Sequence, residues 1–188
     1  MKKFINIILT LLITHFILIQ LASTSAEEAE NFTVSKENSS HSDKVSIIPL
    51  SGMIDGGIYN SLKRRVEIAK ENGSNLIIFE IDTFGGQLEP AFEISEHISN
   101  IKNTKTIAFI PIKAISAGSL IAISCNEIYM APQAELGDCE PIVPSSEGGY
   151  KTIGEKIQTV LRTKFRKFAE KNGYPVLLAE AMVTKEIE

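Results

Sequence analysis

Ala114-Ile115-Ser116-Ala117-Gly118-Ser119 is the most informative stretch of this chain. A serine and two very small residues stand between a strand-like apolar run, Lys105–Pro111, and a helix-like apolar run, Leu120–Ser124. Upstream, Asp82-Thr83-Phe84-Gly85-Gly86 closes another apolar run, Asn75–Ile81. Two glycine-containing turns at strand ends, one of them carrying a serine, suit acyl transfer. One turn can offer backbone N–H groups to an oxyanion, and the other a nucleophile at a helix start. The same residues also fit plain tight turns of an α/β protein, where small residues are common.

Working outward, Val45–Leu50 reads as a first strand and Gly52–Gly57 as a turn. Ile58, Leu62, Val66 and Ala69 recur at helical spacing, closed by Asn72-Gly73. Asn75–Ile81, with Glu80 as its one clear break, has the look of a strand covered on both faces. Pro90 opens a helix bearing Phe92, Ile94, Ile98 and Ile101, and Thr106–Ile110 is a third strand. Ser116–Ser124 follows as a short helix and Glu127–Met130 as a short strand, then Ala131–Gly149 as a long connection. A helix from about Ile153 carries Ile157, Val160, Leu161, Phe165 and Phe168 up to Asn172-Gly173. Pro175 opens a last helix still running at the end of the chain. Alternating strands and helices predict an α/β fold with a mostly parallel sheet covered by helices. Both glycine turns fall at carboxyl ends of strands, where sites lie in such folds.

The chain has 188 residues, 44% of them apolar, which suits one domain. A formal charge of −4 gives no basic footprint for nucleic acid. The basic clusters Lys63–Arg65 and Arg162–Lys167 read as solvated helix faces. Residues 1–26 are a signal peptide or signal anchor. Lys2 and Lys3 precede the apolar run Phe4–Leu21, and small residues lead to cleavage after Ala26. Its removal takes the balance from −4 to −6. Residues 27–44 form a polar linker, and residues 45–188 the folded domain. The working domain is therefore expected outside the cytoplasm, exported or membrane-associated. Cys125 and Cys139 allow a disulfide in such a compartment, or serve as two small buried residues, and they lack metal-site spacing. Asn-X-Ser/Thr triplets begin at Asn31, Asn38 and Asn72.

A nucleophilic serine needs a base. His15 lies in the targeting segment and His41 in the linker. His97 falls mid-helix, where it is expected to face solvent. That argues against a Ser-His-Asp triad and leaves a lysine, which must be uncharged to act. Lys113, Lys151, Lys156 and Lys164 are the candidates. Lys156 leads, at the start of an amphipathic helix beside Ile157.

The set Ile81-Asp82-Thr83-Phe84-Gly85-Gly86, Ala114-Ile115-Ser116-Ala117-Gly118, Met130-Ala131-Pro132 and Leu136-Gly137-Asp138-Cys139-Glu140-Pro141 resembles, in this order, the ClpP-class serine proteases of the NfeD family. These are stomatin-operon partner proteases, related to signal peptide peptidase A. The resemblance covers about Val45–Glu188 and implies a Clp/crotonase-like spiral of ββα units whose C-terminal part lies beyond this chain. It implies a Ser116–Lys156 dyad, and an oxyanion hole from Ala117 N–H with that of Gly85 or Gly86. It implies no cofactor and no metal. Two departures stand out. Phe84 replaces the family's usual proline, and Asp138, Cys139 and Glu140 replace a more neutral stretch.

The expected function is that of a serine endopeptidase acting through an acyl-enzyme. By resemblance its substrates are hydrophobic segments of membrane-associated proteins, its partners are stomatin-like, and it self-associates as a dimer or larger. An acyl-CoA enzyme of the crotonase type, with Glu140 as base, is one alternative. An inactive, truncated domain acting as a membrane-associated binding or assembly module is the other.

Overall fold

Four parallel strands in the order β1-β2-β3-β5 make the main sheet of the computed structural model, which describes residues 44–146 and 148–184. The expected targeting segment, and the linker up to Asp43 with His41, lie outside the described residues. Strand β1 is Val45–Ser51, β2 Leu76–Asp82, β3 Lys105–Ile110 and β5 Glu127–Met130. Helix α1, Gly56–Glu71, starts at Asp55, whose side chain accepts the Ile58 N–H at 2.9 Å. It buries Leu62, Val66 and Ala69. Helix α2 is Leu88–Ser99, so Pro90 sits inside its first turn, where a missing N–H costs nothing.

One face of the sheet carries Ile48, Leu50, Ile77, Phe79, Ile81, Ala108 and Ile110, all buried in a single core with the helices. Among the described residues, the other face is left open. Ile47 and Tyr129 are exposed there, Ile78 and Phe109 are half-buried, and Glu80 reaches solvent. The expectation that β2 is covered on both faces is thus overturned. Its apolar run alternates in depth, and the same open face holds the exposed Lys105–Glu127 ion pair at 2.6 Å.

Helix α3, Ala117–Ile123, is buried at every position and runs through the centre of the domain. The segment expected as one long connection is instead ordered into short strands. Strand β6, Glu135–Gly137, pairs in parallel with β4, Lys113–Ile115, and β7, Ile142–Pro144, pairs antiparallel with β8, Tyr150–Thr152. Three-residue strands leave no readable period, so pattern analysis misses them. Helix α4, Glu155–Asn172, buries Leu161, Phe165, Phe168 and Ala169. Helix α5, Val176–Ala181, closes the described part and ends at Met182, earlier than expected.

Glu96 joins α2 to α4, with Lys164 Nζ at 2.5 Å and Lys167 Nζ at 2.8 Å from its Oε1. Those hydrogen bonds, Lys164's first, hold its carboxyl below the usual carboxylate range. A depressed acid stabilises the fold above its unfolded value, and that stability is lost as pH falls through the folded value. Glu96→Gln should cost about 1 kcal/mol at neutral pH and nothing at strongly acid pH. Thermal unfolding of both proteins at the two pH values checks this.

Candidate active site

Ser116 stands where β4 turns into α3, with φ 54° and ψ −115°. A non-glycine residue there is strained, and such strain persists only when its surroundings fix it. Several contacts do so. The Ser116 N–H donates to Gly137 O at 2.9 Å, and its carbonyl accepts from Ser119 N–H at 3.0 Å. Ser119, fully buried, places its hydroxyl 2.5 Å from Ala114 O and accepts the Gly137 N–H at 2.8 Å. Thus β4, β6 and α3 are tied to one another around the serine. The Ser116 side chain makes no hydrogen bond among the described residues. A strand–serine–helix turn of this kind presents a hydroxyl at a strand end.

The second turn lies against the first. Thr83, buried, bridges to Ala114 through two backbone hydrogen bonds, Thr83 N–H to Lys113 O and Ile115 N–H to Thr83 O. Its hydroxyl sits 2.5 Å from Gly52 O and accepts the Gly85 N–H at 2.9 Å. Gly85, at φ +103°, comes so close that a Cβ there would meet Ser116 Cβ at 2.7 Å. Gly86 forms a parallel bridge with Ile54, built from Ile54 N–H to Gly85 O and Gln87 N–H to Ile54 O. In such a bridge the central residue's own N–H points away from its partner.

The two glycines are therefore not equivalent. The Gly85 N–H is taken by Thr83. The N–H groups of Gly86 and Ala117 bond to no described residue, and both residues line one cavity with Ser116. The cavity holds about 350 Å³, walled by apolar Leu88, Ala91, Leu120, Leu161 and Phe165. Cys139, Glu140 and Ile142 close another side, from the stretch that showed no sequence period.

Cys139 is a second potential nucleophile, and the structure answers for it. Burial pushes its thiol up to about 12, and its Sγ donates to Ser116 O at 3.5 Å. It is a neutral thiol at physiological pH, and the thiolate is the reactive form. Cys125 is likewise buried, and both cysteines are free, so no disulfide joins them. Glu140 accepts from the Thr152 hydroxyl at 2.7 Å.

The lysines separate clearly. Lys113 pairs with Asp82 at 3.1 Å, Lys151 lies in β8, and Lys164 pairs with Glu96. Lys156 is exposed in the first turn of α4, on the helix face opposite the buried Phe165. It does not line the cavity, although Ile153, just before the helix, does. The structure thus brings Ser116, Gly85, Gly86 and Ala117 together and leaves Lys156 outside. His97 is half-buried rather than solvent-facing. Its Nε2 is buried without a hydrogen-bond partner among the described residues, and burial lowers its pKa. It does not line the cavity either. Thr83 and Ser119 were missed by sequence reasoning, which looks for reactive groups and not for hydroxyls that lock a turn. Among the described residues no cluster of side chains could hold a metal ion, and no helix is long and apolar enough to cross a membrane.

The fold is that of the ClpP-like protease domains. A mutant of the 1510-N membrane-bound stomatin-specific protease, with a serine changed to alanine, superposes with a TM-score of 0.72 at 28% identity, covering 77% of this chain and 71% of that one. A lysine-to-alanine mutant of the 1510-N protease, in complex with a substrate peptide, gives 0.71 at 28% identity, over 78% and 68% of the two chains. The chain belongs to the family of the NfeD1b N-terminal domain, whose model matches residues 44–188. It is 30% identical over 146 residues to the membrane-bound protease PH1510 of Pyrococcus horikoshii, covering 76% of this chain and 33% of that protein. It is 28% identical over 144 residues to the membrane protein NfeD1b of Bacillus subtilis, covering 77% and 32%. The chain thus spans about a third of the length of these curated relatives.

Proposed function

We propose that this domain is a serine endopeptidase that cleaves apolar polypeptide segments, with Ser116 as nucleophile and Lys156 as general base. The observation that carries the reading is the strained Ser116 turn facing two unpaired backbone N–H groups in one apolar cavity. Lys156 takes the proton from Ser116 Oγ, and Oγ attacks the scissile carbonyl. The carbonyl oxygen, now negative, accepts from Gly86 N–H and Ala117 N–H, a stabilisation worth about 3 kcal/mol per donor. Lys156 returns the proton to the departing amine, and water then releases the acyl-enzyme by the same route. For this the Lys156 side chain has to swing from the outer face of α4 to Ser116. Gly154, the residue just before α4, supplies no side-chain cap to that first turn.

The similarity to a stomatin-specific protease supports stomatin-like substrates. That to membrane-bound proteins supports a place at a membrane, and the targeting pattern of residues 1–26 supports a place outside the cytoplasm. Self-association belongs to the same proposal. Cleavage of an apolar peptide by wild type, Ser116→Ala and Lys156→Ala tests the reading. Lys156→Ala should lower kcat roughly 10³-fold with little change in KM. Equal kcat in that variant would exclude Lys156 as the base.

A second reading, a binding module without turnover, has one observation in its favour, the exposure of Lys156. It predicts that wild type and Ser116→Ala hold the same peptide equally well and that neither cleaves it.

A further inference from the structure

A second cavity of about 440 Å³ lies on the other side of the Gly85 turn, lined by Gly52, Met53, Asp82, Thr83, Phe84, Gly85 and Lys113. Phe84 is 77% exposed and Met53 63%, two large apolar side chains at the rim of one cavity. Lys113 Nζ lies 4.4 Å from the centre of the Phe84 ring, and Asp82 pairs with that amine at 3.1 Å, so the ring has a preferred partner. Gly85, which lines this second cavity, packs against Ser116 and is followed in the chain by Gly86, which lines the first.

The first cavity contains the two unpaired N–H donors, so it receives the acyl portion of a bound peptide. The chain on the amine side of the scissile bond must then leave across Gly85, which offers no side chain to stop it. We propose that the Phe84–Met53 cavity is the subsite for the residue that follows the scissile bond, and that it selects a large apolar side chain there. This rests on the proteolytic reading above. The ring of Phe84, partnered by Lys113, supplies the apolar contact surface. The Asp82–Lys113 pair, balanced in charge, gives no reason to prefer a charged residue.

The test uses two apolar peptides that differ only after the cleaved bond, leucine in one and glycine in the other. With wild type, the leucine peptide should have a kcat/KM at least ~10-fold higher, and Phe84→Ala should lower that ratio to about 2. Phe84→Leu should keep most of the preference. A ratio unchanged by Phe84→Ala, or no preference in wild type, overturns the assignment. Binding of the same peptides to Ser116→Ala, with and without Phe84→Ala, separates the two claims. If no peptide is cleaved, proteolysis fails. A leucine preference in binding that needs Phe84 then still supports the subsite, and its absence overturns it.

Discussion

Ser116→Ala is expected to reduce kcat/KM for an apolar peptide by roughly 10⁴-fold or more, with the fold intact. The residual rate would come from the backbone donors and the cavity, which the substitution leaves in place. Stability should change little. The Ser116 side chain makes no hydrogen bond among the described residues, and alanine meets the same strain at φ 54°. Ser116→Gly makes the complementary case. Glycine adopts that conformation freely, so relief of strain should exceed its extra unfolded-state entropy and raise stability by about 1 kcal/mol, while activity is lost just as completely. Thermal unfolding and peptide hydrolysis on the three proteins check both halves. If Ser116→Gly unfolds earlier than wild type, the turn is not strained as described. If Ser116→Ala keeps its rate, another group performs the attack.

Gly86→Ala should be the most damaging change that touches no reactive side chain. A Cβ at Gly86 would fall inside the backbone of Ile54, 2.5 Å from its nitrogen and 2.8 Å from its carbonyl carbon. Backbone atoms cannot turn aside as a flexible side chain does. Either the bridge between Ile54 and Gly86 opens or the Gly86 peptide rotates. Opening it breaks the hydrogen bonds Ile54 N–H to Gly85 O and Gln87 N–H to Ile54 O. We expect a loss of about 3 kcal/mol or more in stability. The surviving folded fraction should also be impaired, because the Gly86 N–H no longer points into the cavity. Gly85→Ala should act differently. It meets Ser116 Cβ and the strain of φ +103°, so it disturbs the nucleophile directly. Chemical denaturation, with activity normalised to folded protein, separates the two. Gly86→Ala with wild-type stability would contradict the close packing of this turn against Ile54.

What was legible in the chain follows from how far each signal reaches. The helix bearing Leu62, Val66 and Ala69 was visible because a 3.6-residue stripe declares both the helix and its buried face. The Ser116 turn was visible because small residues between a strand and a helix are a local signal. The openness of one sheet face was not. Leu76 and Ile78 are as apolar as Ile77, yet they are half-buried because no helix of the described residues packs over them, a fact of topology. The inequality of Gly85 and Gly86 was hidden for a related reason. It depends on the Thr83 hydroxyl and on Ile54, which lies far upstream in sequence. The cavity wall from Cys139 to Val143 joins irregular chain, Cys139–Pro141, to β7, a strand too short to show a period. Lys156 could be placed on a helix from its sequence, but not relative to Ser116, because that requires knowing how α4 docks.

The central claim is that Ser116 is the group that becomes acylated. A β-lactone attached to an apolar peptide, incubated with the protein and followed by peptide mapping in a mass spectrometer, tests it most directly. The account predicts a single covalent adduct on Ser116 that is lost in Ser116→Ala and formed far more slowly in Lys156→Ala. An adduct on Cys139 instead, or none on Ser116 under conditions where the peptide is cleaved, would contradict it.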